Sequence, residues 1–425
     1  MNVWIIAVGE PLPTDQGNPR LLRAGMLADM LAAEGHCVTW WSSTFNHSMK
    51  RPRATVTTAV ILSDRLKLIL LHGVGYKTNV SGWRLANHAM IGFEFKRLAS
   101  FCACPDIILC SFPTIELSLE AARYGKKHRV PVVIDVRDLW PDIFLTLLPR
   151  GFRWLGRLAL LRLFRATEKA LASATAIVGI TPQFVAWGAS KAGRVLRPQL
   201  DRAYPLAYSQ NAPSADQQEH ARKYWRELGV RENAFVVCFF GTMGRQFDLE
   251  TVLDAARQLS RARDFQFILC GDGPSLDYYR SLAAGIESVI FPGWVGKVEI
   301  WTLMRMASIG LAPYKSELSF TLSIPNKAIE YLSAGLPVVT SLDGVLKSLV
   351  IDHDCGTYYA NGDVGALVQA LHSVHENEQT AERWSLNALA LYNSKFKAED
   401  IYKDMIAYLG RVLNQASQAR HMRDE

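Results

Sequence analysis

Short apolar runs alternate with longer stretches of helical periodicity, and this alternation occurs twice along the chain. Short β-rich runs separated by helices are typical of βαβ units and predict parallel sheets. The two series therefore predict two doubly wound, Rossmann-like α/β domains of similar size. The predicted strands are residues 3–9, 37–43, 107–112, 132–135 and 176–180 in the first half and residues 235–240, 265–270, 288–291, 309–313 and 337–341 in the second half.

A boundary between the two domains is predicted between Arg194 and Glu219, where prolines and short polar residues cluster. We expect an N-terminal domain of residues 1–200, a C-terminal domain of residues 201–396, and a final helix in residues 397–425 that packs back toward the N-terminal domain and ends in a frayed tail. In open α/β sheets, ligands bind beyond the carboxyl ends of the strands. Two such domains facing each other predict a deep cleft, with the chemistry in the loops that follow strands.

The composition narrows the class of protein. Apolar residues make up 49% and charged residues 20% of the chain, which excludes a disordered protein. The 47 basic and 40 acidic residues give a net charge of +7, so a local basic patch is expected rather than a field over the whole surface. No apolar run reaches the roughly 18 residues of a transmembrane helix, and no basic segment opens a signal peptide, so we expect a cytoplasmic protein. Cys102 and Cys104 are the only close pair of cysteines, so no zinc site is expected.

The loop after the first predicted strand contains Gly17, which allows a ligand to approach the backbone closely. A helix predicted over residues 21–34 follows this loop, and a helix N-terminus favours an anion. Arg20 or Arg23 could then reach a phosphate. A plain turn between strand and helix is an equally good interpretation of the same residues.

The loop after residues 132–135 combines charged residues with a tryptophan, a costly set of side chains for a protein core. These side chains need either partners or a binding cleft, and Asp138 is the preferred polar group for a ligand. The alternative is a salt bridge between Arg137 and a neighbouring aspartate that braces the loop.

Two glycine-containing loops follow strands of the second half. Gly241 and Gly244 bracket a turn that carries Arg245, and backbone N–H groups beside an arginine form a seat for a diphosphate. Gly271 and Gly273 form a tight turn that could let a nucleotide base approach the backbone. The first loop is not a Walker A motif, because it has no Gly-Lys-Ser/Thr.

Residues 323–339 are the densest segment of candidate residues. Pro325 suits the first turn of a helix, so a helix is predicted to begin near it with its N-terminus directed into the cleft. Lys327 in that first turn is unfavourable for the helix dipole unless an anion is bound. Glu330, one turn further on, could accept both hydroxyls of a ribose. The alternative is that Lys327 and Glu330 pair on a solvated face.

A basic helix is predicted over residues 150–173. Arginines interleaved with apolar side chains on one side of it suit the surface of an anionic membrane. The residues expected to face the membrane are Arg150, Arg153, Trp154, Arg157, Leu158, Leu161 and Arg165, and those expected to face the core are Phe152, Leu155, Ala159, Leu163, Ala166 and Ala170. The alternative is an ordinary solvated basic face. No nucleic-acid partner is expected, because no nucleic-acid-binding motif accompanies the arginines.

Taken together, these motifs resemble the retaining glycosyltransferases of glycosyltransferase family 4, which have the GT-B fold. The resemblance is closest to bacterial members that build O-antigen, capsule or exopolysaccharide units, including N-acetylfucosamine-type transferases. The matching stretches are spread over nearly the whole chain, and they come in the same order as in the family. They are residues 9–20, 35–41, 75–81, 135–141, 241–245, 271–274 and 325–339.

The resemblance implies a nucleotide-diphosphate sugar donor, most often UDP-linked, bound mainly by the C-terminal domain without a metal ion or other cofactor. It implies a polyprenyl-diphosphate-linked saccharide acceptor and peripheral association with the inner surface of the cytoplasmic membrane. It places catalytic functions at Asp138, Arg245, Lys327 and Glu330, with Asp138 near the transferred sugar. The implied donor-binding residues are Gly17, Gly241, Gly244, Gly271, Gly273, Ser323, Pro325 and Asn326, and the implied acceptor-side residues are Arg20, Lys77, Asn79 and Arg84.

The chain departs from the family at two places. The position eight residues before Glu330, where the family often has a second glutamate, holds Leu322. The positions of the family's Gly-Arg…Lys-Gly phosphate pair hold Thr242 and Phe247 instead of the two cations. Two other functions therefore stay open, a UDP-sugar 2-epimerase-like isomerase on the same fold and a non-catalytic protein that binds nucleotide sugars.

Overall fold

A computed structural model describes residues 1–17, 19–79, 81–260 and 264–424 of the protein. The chain divides into two compact units. Unit 1 comprises Met1–Pro205 together with the C-terminal segment from Glu399, and unit 2 comprises Leu206–Ala398. Each unit contains a sheet of mainly parallel strands with helices between them, so the predicted mixed α/β class with two parallel-sheet domains is confirmed.

The main sheet of unit 1 has the strand order β10-β9-β8-β7-β1-β2-β6-β5. Its pairs are parallel except for β5 and β6, which are antiparallel, and β3 pairs with β4 in a separate antiparallel ribbon. Strands β7 and β8 are buried along their whole length, as expected where both faces of a parallel sheet are covered. The strands are β1 (Asn2–Ile6), β2 (Cys37–Ser43), β3 (Phe45–Asn46), β4 (Arg51–Pro52), β5 (Thr58–Ser63), β6 (Leu66–Leu71), β7 (Ile107–Phe112), β8 (Val132–Val136), β9 (Ala176–Gly179) and β10 (Arg202–Ala203).

Seven α-helices of the described residues precede the second unit. They are α1 (Arg23–Ala33), α2 (Gly82–Ala99), α3 (Ile115–His128), α4 (Asp142–Thr146), α5 (Arg153–Ala159), α6 (Leu161–Ala172) and α7 (Pro182–Lys191). The aromatic core between the sheet and these helices includes Trp41, whose ring centroid lies 5.0 Å from those of Trp4 and Phe95 in edge-to-face contacts.

The prediction of one helix over residues 150–173 is wrong. A 3₁₀ turn at Arg150–Phe152 leads into α5, and Leu160 separates α5 from α6. The expected core face does not hold before this break, since Phe152, Leu155 and Ala159 are exposed. The buried residues of α6 are Phe164, Thr167, Ala170 and Leu171.

Unit 2 contains a six-stranded parallel sheet with the order β13-β12-β11-β14-β15-β16. Its strands are β11 (Phe235–Phe240), β12 (Phe265–Cys270), β13 (Val289–Gly293), β14 (Ile309–Ala312), β15 (Val338–Thr340) and β16 (Gly356–Tyr358). The chain builds outward from β11 to one side and then from β14 to the other. Strands β11 and β14 therefore flank the switch point, where ligands of doubly wound sheets bind.

The helices of unit 2 are α8 (Ala215–Glu227), α9 (Leu249–Leu259), α10 (Leu276–Leu282), α11 (Lys297–Met306), α12 (Leu318–Thr321), α13 (Asn326–Ser333), α14 (Val345–Asp352), α15 (Val364–His375) and α16 (Glu378–Lys395). The last helix, α17 (Ala398–Asp424), groups with unit 1 from Glu399 onward. Its Tyr408 hydroxyl donates a hydrogen bond to the Leu200 carbonyl. Among the described residues, no helix is both long and apolar enough to cross a membrane.

Candidate functional site

The loops after β11 and β14 are joined at the switch point of unit 2. Phe247 and Tyr314 form an antiparallel bridge between the two loops. The Asp248 N–H donates to the Pro313 carbonyl at 2.7 Å, and the Lys315 N–H donates to the Gln246 carbonyl at 2.9 Å. These backbone hydrogen bonds hold the loops after β11 and β14 together without the help of a ligand.

The loop after β12 lies against the loop after β11 at backbone distance. The Gly241 N–H donates to the Cys270 carbonyl at 3.0 Å. A Cβ atom at Gly271 would lie 1.8 Å from the Gly241 carbonyl oxygen, so no side chain fits at this position. Gly271 also has a φ of +142°, which L residues rarely adopt. The predicted glycine loops are thus packed on each other.

Lys327 reaches the same place from the first turn of α13. Its side chain is 7% exposed, and its Nζ atom has no hydrogen-bond partner within the described residues. A Cβ atom on Gly241 would lie 2.8 Å from this Nζ, which shows how close the ammonium comes to the loop after β11. The helix begins at Asn326, one residue after the position predicted from Pro325, which is the N-cap.

Aromatic rings surround the Lys327 ammonium. The Nζ atom lies 3.9 Å from the Phe239 ring centroid, 3.8 Å from that of Phe247 and 5.0 Å from that of Tyr314. The faces of these rings attract a cation. Burial lowers the pKa of Lys327 well below its ordinary value, although the nearby Glu330 carboxylate opposes this shift. An anion beside Gly241 would raise this pKa, because it favours the charged form of the lysine.

The first turn of α13 has positive character besides Lys327. It contains no acidic residue, and Pro325 at the N-cap supplies no side-chain hydrogen bond to it. The N–H groups at a helix N-terminus carry partial positive charge and bind anions. Lysine and helix terminus therefore favour negative charge at one point of unit 2.

Glu330 lies on the same helix and is 7% exposed. The alternative that Lys327 and Glu330 lie on a solvated face is therefore wrong, because both side chains are buried. Tyr331 fixes the helix to the sheet, since its hydroxyl donates to the Leu311 carbonyl of β14 at 3.0 Å. The carboxylate is thus positioned by a packed helix.

The other residues expected to bind the donor differ in their surroundings. Ser323 is buried, and its hydroxyl donates to the Phe320 carbonyl at 3.3 Å. Asn326 is half-buried, whereas Arg245 is exposed on the loop after β11. A Cβ atom at Gly244 would approach only the flexible end of the Gln246 side chain, at 2.4 Å.

In unit 1, the loop after β1 and the start of α1 belong to a buried ionic network. The Arg23 guanidinium donates to the Asp135 carboxylate at 2.8 Å and to the carbonyls of Tyr204 at 2.8 Å and Pro205 at 3.0 Å. Arg23 is therefore held by protein groups. The Ala24 N–H donates to the Glu10 carboxylate at 2.9 Å, so the anion near this helix N-terminus is the protein's own. Gly17 is exposed with a φ of +84°.

The loop after β8 contains the salt bridge that was the alternative to a ligand-binding loop. Arg137 pairs with Asp135 at 2.9 Å and with Glu10, which confirms the bracing salt bridge. Burial alone would raise the pKa of Asp135, but Arg23 and Arg137 hold it below its ordinary value. Asp138 follows Arg137 directly in the chain. Its carboxylate accepts hydrogen bonds from the Leu139 N–H at 2.8 Å and the Trp140 indole N–H at 3.2 Å.

Two of the expected acceptor-side residues lie together. The Arg84 guanidinium donates to the Asn79 carbonyl at 2.9 Å, and it lies 4.4 Å from the Trp140 ring centroid. Lys77 is exposed, and Arg20 is half-buried before α1. Four other side chains of this region, His47, Lys50, Tyr76 and His88, were not predicted as site residues from the sequence. No short motif joins them, because they come from separate segments of the chain.

The residues expected to face a membrane are mostly exposed. Trp154 is 61% and Leu158 is 59% exposed, and Arg150, Arg153, Arg157 and Arg165 are exposed as well. Leu161, at the start of α6, is half-buried and is thus less exposed than expected. Among the described residues, no group of three or more His, Cys, Asp or Glu side chains is placed to hold a metal ion.

The family model described as "Glycosyl transferases group 1" matches residues 234–377 of the chain. This range contains the switch point, Lys327 and Glu330. Residues 234–377 of unit 2 are thus similar to the glycosyltransferase group 1 family. The assignment agrees with the coarser part of the resemblance seen in the sequence.

Two curated relatives are glycosyltransferases by name. The 2-deoxystreptamine N-acetyl-D-glucosaminyltransferase of Niallia circulans is 22% identical over 40% of this chain and 43% of its own length. The O-antigen chain mannosyltransferase C of Escherichia coli is 26% identical over 55% of this chain and 59% of its own length. The chain thus spans about half the length of these relatives.

Solved structures match over the whole chain. Sucrose-phosphate synthase of Thermosynechococcus elongatus superposes with a TM-score of 0.71 and 18% identity, covering 98% of this chain and 99% of that one. HepE of Anabaena in complex with UDP-glucose gives 0.64 and 18%, covering 97% and 100%. WaaG, a glycosyltransferase involved in lipopolysaccharide biosynthesis, gives 0.63 and 16%, covering 98% and 99%. These likenesses confirm the GT-B fold class that was expected from the sequence.

Proposed function

We propose that this protein is a retaining glycosyltransferase that moves a sugar from a UDP-linked donor, bound by unit 2, to a saccharide acceptor. The observation that carries the proposal is the Lys327 ammonium, which is buried beside Gly241 and has no hydrogen-bond partner within the described residues. The group 1 domain supports the reaction class. The UDP-glucose in the HepE structure supports the donor class.

The proposed role of this site is to hold the leaving diphosphate. A diphosphate beside Gly241 would meet the Lys327 ammonium and the N-terminus of α13, because Lys327 lies in the first turn of that helix. Negative charge on the diphosphate grows as the sugar departs. Fixed positive groups therefore stabilise the transition state more than the bound donor. Arg245, exposed on the loop after β11, is proposed as a second cation.

Retention is proposed through attack of the acceptor hydroxyl from the face that the diphosphate leaves. The new glycosidic bond forms at the anomeric carbon as the bond to the phosphate oxygen breaks. The hydroxyl proton passes to that oxygen, and UDP is released. This sequence uses no protein nucleophile, and the protein cations take the role that a metal ion plays elsewhere. Glu330 is proposed to accept hydrogen bonds from the ribose hydroxyls.

The proposed acceptor is a polyprenyl-diphosphate-linked saccharide at the inner surface of the cytoplasmic membrane, in the synthesis of a surface polysaccharide. The exposed arginines and apolar side chains of α5 support this part of the proposal. The name of the Escherichia coli relative, which acts on an O-antigen chain, supports the pathway class. The assignments of Asp138, Gly17 and Arg20 stay predictions.

Titration calorimetry of the full chain with UDP, GDP and ADP tests the donor class. We expect UDP to bind at least tenfold more tightly than the other two nucleotides. Equal affinities would contradict the proposal. Incubation with a UDP-sugar and no acceptor separates the reaction classes. A transferase hydrolyses the donor slowly, whereas full conversion to an epimeric UDP-sugar would indicate the isomerase.

A further inference from the structure

Three segments of unit 1 bring basic and aromatic side chains together. The β3–β4 ribbon carries His47 and Lys50, the loop after β6 carries Tyr76 and Asn79, and the first turn of α2 carries Arg84. The His47 Nδ1 atom lies 2.6 Å from the Tyr76 hydroxyl oxygen and 3.4 Å from the Lys50 Nζ. Lys50 also donates to the Asn79 side-chain oxygen. His47, Lys50 and Arg84 are called the basic cluster below.

Both cations of the basic cluster approach the same ring. The Lys50 Nζ lies 4.9 Å and the Arg84 Cζ 5.7 Å from the Tyr76 ring centroid. Since the Lys50 Nζ contacts an imidazole and an amide, neither contact neutralises its charge. No described carboxylate lies within 4.0 Å of that atom. Asp138 is the acidic group that acts on Arg84.

The charge states agree with a shortage of negative charge. Burial and the neighbouring Arg84 lower the pKa of Lys50 to about 8. Burial, Lys50 and Arg84 lower the pKa of His47 to about 4, so this imidazole is neutral at pH 7. An anion bound among these groups would reverse both shifts, because it favours the charged form of each base.

The backbone and the helix give independent support. Lys50 has a φ of +51°, in the left-handed region that favours glycine, so the fold keeps a lysine where its backbone is strained. Arg84 lies in the first turn of α2, which contains no acidic residue, and a cation there is unfavourable unless an anion is near. His88, 95% buried against Trp140, has an Nδ1 atom without a hydrogen-bond partner among the described residues.

We propose that the basic cluster binds a phosphate group of the acceptor. This inference rests on the acceptor side of the proposed function. A phosphate carries up to two negative charges and several acceptor oxygens, which match a lysine and an arginine that approach the same tyrosine ring. The phosphate has two possible sources, the diphosphate of a lipid-linked saccharide and the monoester of a soluble sugar phosphate.

The test is titration calorimetry of the full chain at saturating UDP, so that the donor site is filled. Farnesyl diphosphate represents the lipid-linked source and glucose 6-phosphate the soluble source. We expect one of the two to bind, and its affinity to fall at least tenfold in Lys50→Gln and in Arg84→Gln. Tighter binding of farnesyl diphosphate assigns the lipid-linked source, and tighter binding of glucose 6-phosphate assigns the soluble one.

Controls keep the result interpretable. Lys67→Gln removes an exposed lysine of β6 outside the basic cluster, so it should bind the phosphate like the wild type. Lys50→Arg keeps the charge and should retain most of the affinity for the phosphate compound. This result would show that the loss in Lys50→Gln comes from the missing charge rather than from misfolding caused by any substitution at this position. The inference is overturned if neither compound binds, or if Lys50→Gln and Arg84→Gln bind like the wild type. Failure of the wild type to bind UDP would instead contradict the donor site proposed for unit 2.

Discussion

The ammonium of Lys327 lies 3.8 Å from the centroid of the Phe247 ring. Phe247 occupies the position at which the resembled glycosyltransferases have the lysine of their phosphate pair. Lys327, which comes from the start of α13, thus places a cation against the residue that lacks one. A cation from the start of α13 thus lies against the loop after β11.

Replacing Lys327 by methionine separates binding from stability. Methionine has a similar length, and its apolar side chain suits the cage of Phe239, Phe247 and Tyr314. The variant should lose one charge-assisted contact to the diphosphate, worth about 1.5–3 kcal/mol, which corresponds to roughly 10- to 150-fold in the Kd for UDP. Its free energy of unfolding should not fall, because a buried amine without a partner is removed.

Calorimetry with UDP and chemical denaturation measure the two quantities. Lys297→Met, at the exposed start of α11, is the matched control and should leave the UDP affinity unchanged. A Lys327→Met protein that binds UDP like the wild type would rule out the proposed diphosphate contact.

The binding of UDP should be coupled to proton uptake. Burial lowers the pKa of Lys327 well below its ordinary value in the free protein, with Glu330 and Cys238 opposing this shift. A bound diphosphate raises that pKa, so the lysine takes up a proton when UDP binds at any pH between the two values. Affinity should therefore fall as the pH rises through this interval. Calorimetry in buffers of different ionisation enthalpy counts the protons, and Lys327→Met should abolish the uptake.

Gly271→Ala should disturb the packing of the loop after β12 against the loop after β11. The added Cβ would lie 1.8 Å from the Gly241 carbonyl oxygen, so the two loops must separate. Forced overpacking costs typically about 1–3 kcal/mol, and we expect a loss of stability of this size together with weaker UDP binding. Gly365→Ala in α15 is the control. Its nearest neighbour would be the Asp363 side chain at 3.6 Å, an ordinary contact, and its stability should not decrease. Denaturation curves of both variants decide the prediction.

The sequence predicted the buried strands well and the edge of the sheet poorly. Strands β2, β7, β11 and β12 have the predicted bounds, because each is a short, predominantly apolar run. The antiparallel pair of β5 and β6 was missed, since β5 at the edge alternates between half-buried and exposed residues. Hydrophobic periodicity does not report tertiary contacts. It therefore predicted one continuous helix across Leu160, where the structure has a break between α5 and α6.

The site residues divide in the same way. Gly241, Gly271, Lys327 and Glu330 could be predicted as candidates because they lie in short motifs after strands or at a helix start. Lys50 was missed because its meaning depends on residues brought together from distant segments. The sequence offered Arg23 as a phosphate ligand, but its guanidinium forms an ion pair with Asp135 on β8. The two residues are distant in the chain, so no local pattern predicts this pairing.

Arg23→Met should destabilise unit 1 strongly. Asp135 is fully buried and would retain only Arg137 as an ion-pair partner within the described residues, and the carbonyls of Tyr204 and Pro205 would lose a donor. Breaking a buried ion pair by removing one partner costs about 3–5 kcal/mol.

The contribution of Asp135 to stability should depend on pH. Because the arginine partners lower the pKa of Asp135, the stabilising effect of this carboxylate is present above its pKa in the unfolded chain and is lost as the pH falls through its pKa in the folded protein. Denaturation between pH 7 and pH 3 should show a smaller acid-induced loss in Asp135→Asn.

Binding to anionic membranes should depend on α5. Trp154 and Leu158 are exposed directly after Arg153 and Arg157 in the chain, and each arginine near an anionic surface contributes about 1 kcal/mol. The double variant Arg153→Gln/Arg157→Gln should therefore bind phosphatidylserine vesicles roughly 30-fold more weakly in sedimentation assays. Arg222→Gln/Lys223→Gln removes the same charge from exposed positions of α8 in unit 2 and should have little effect. Equal losses in both double variants would show that net charge, rather than this face, attracts the protein to lipid.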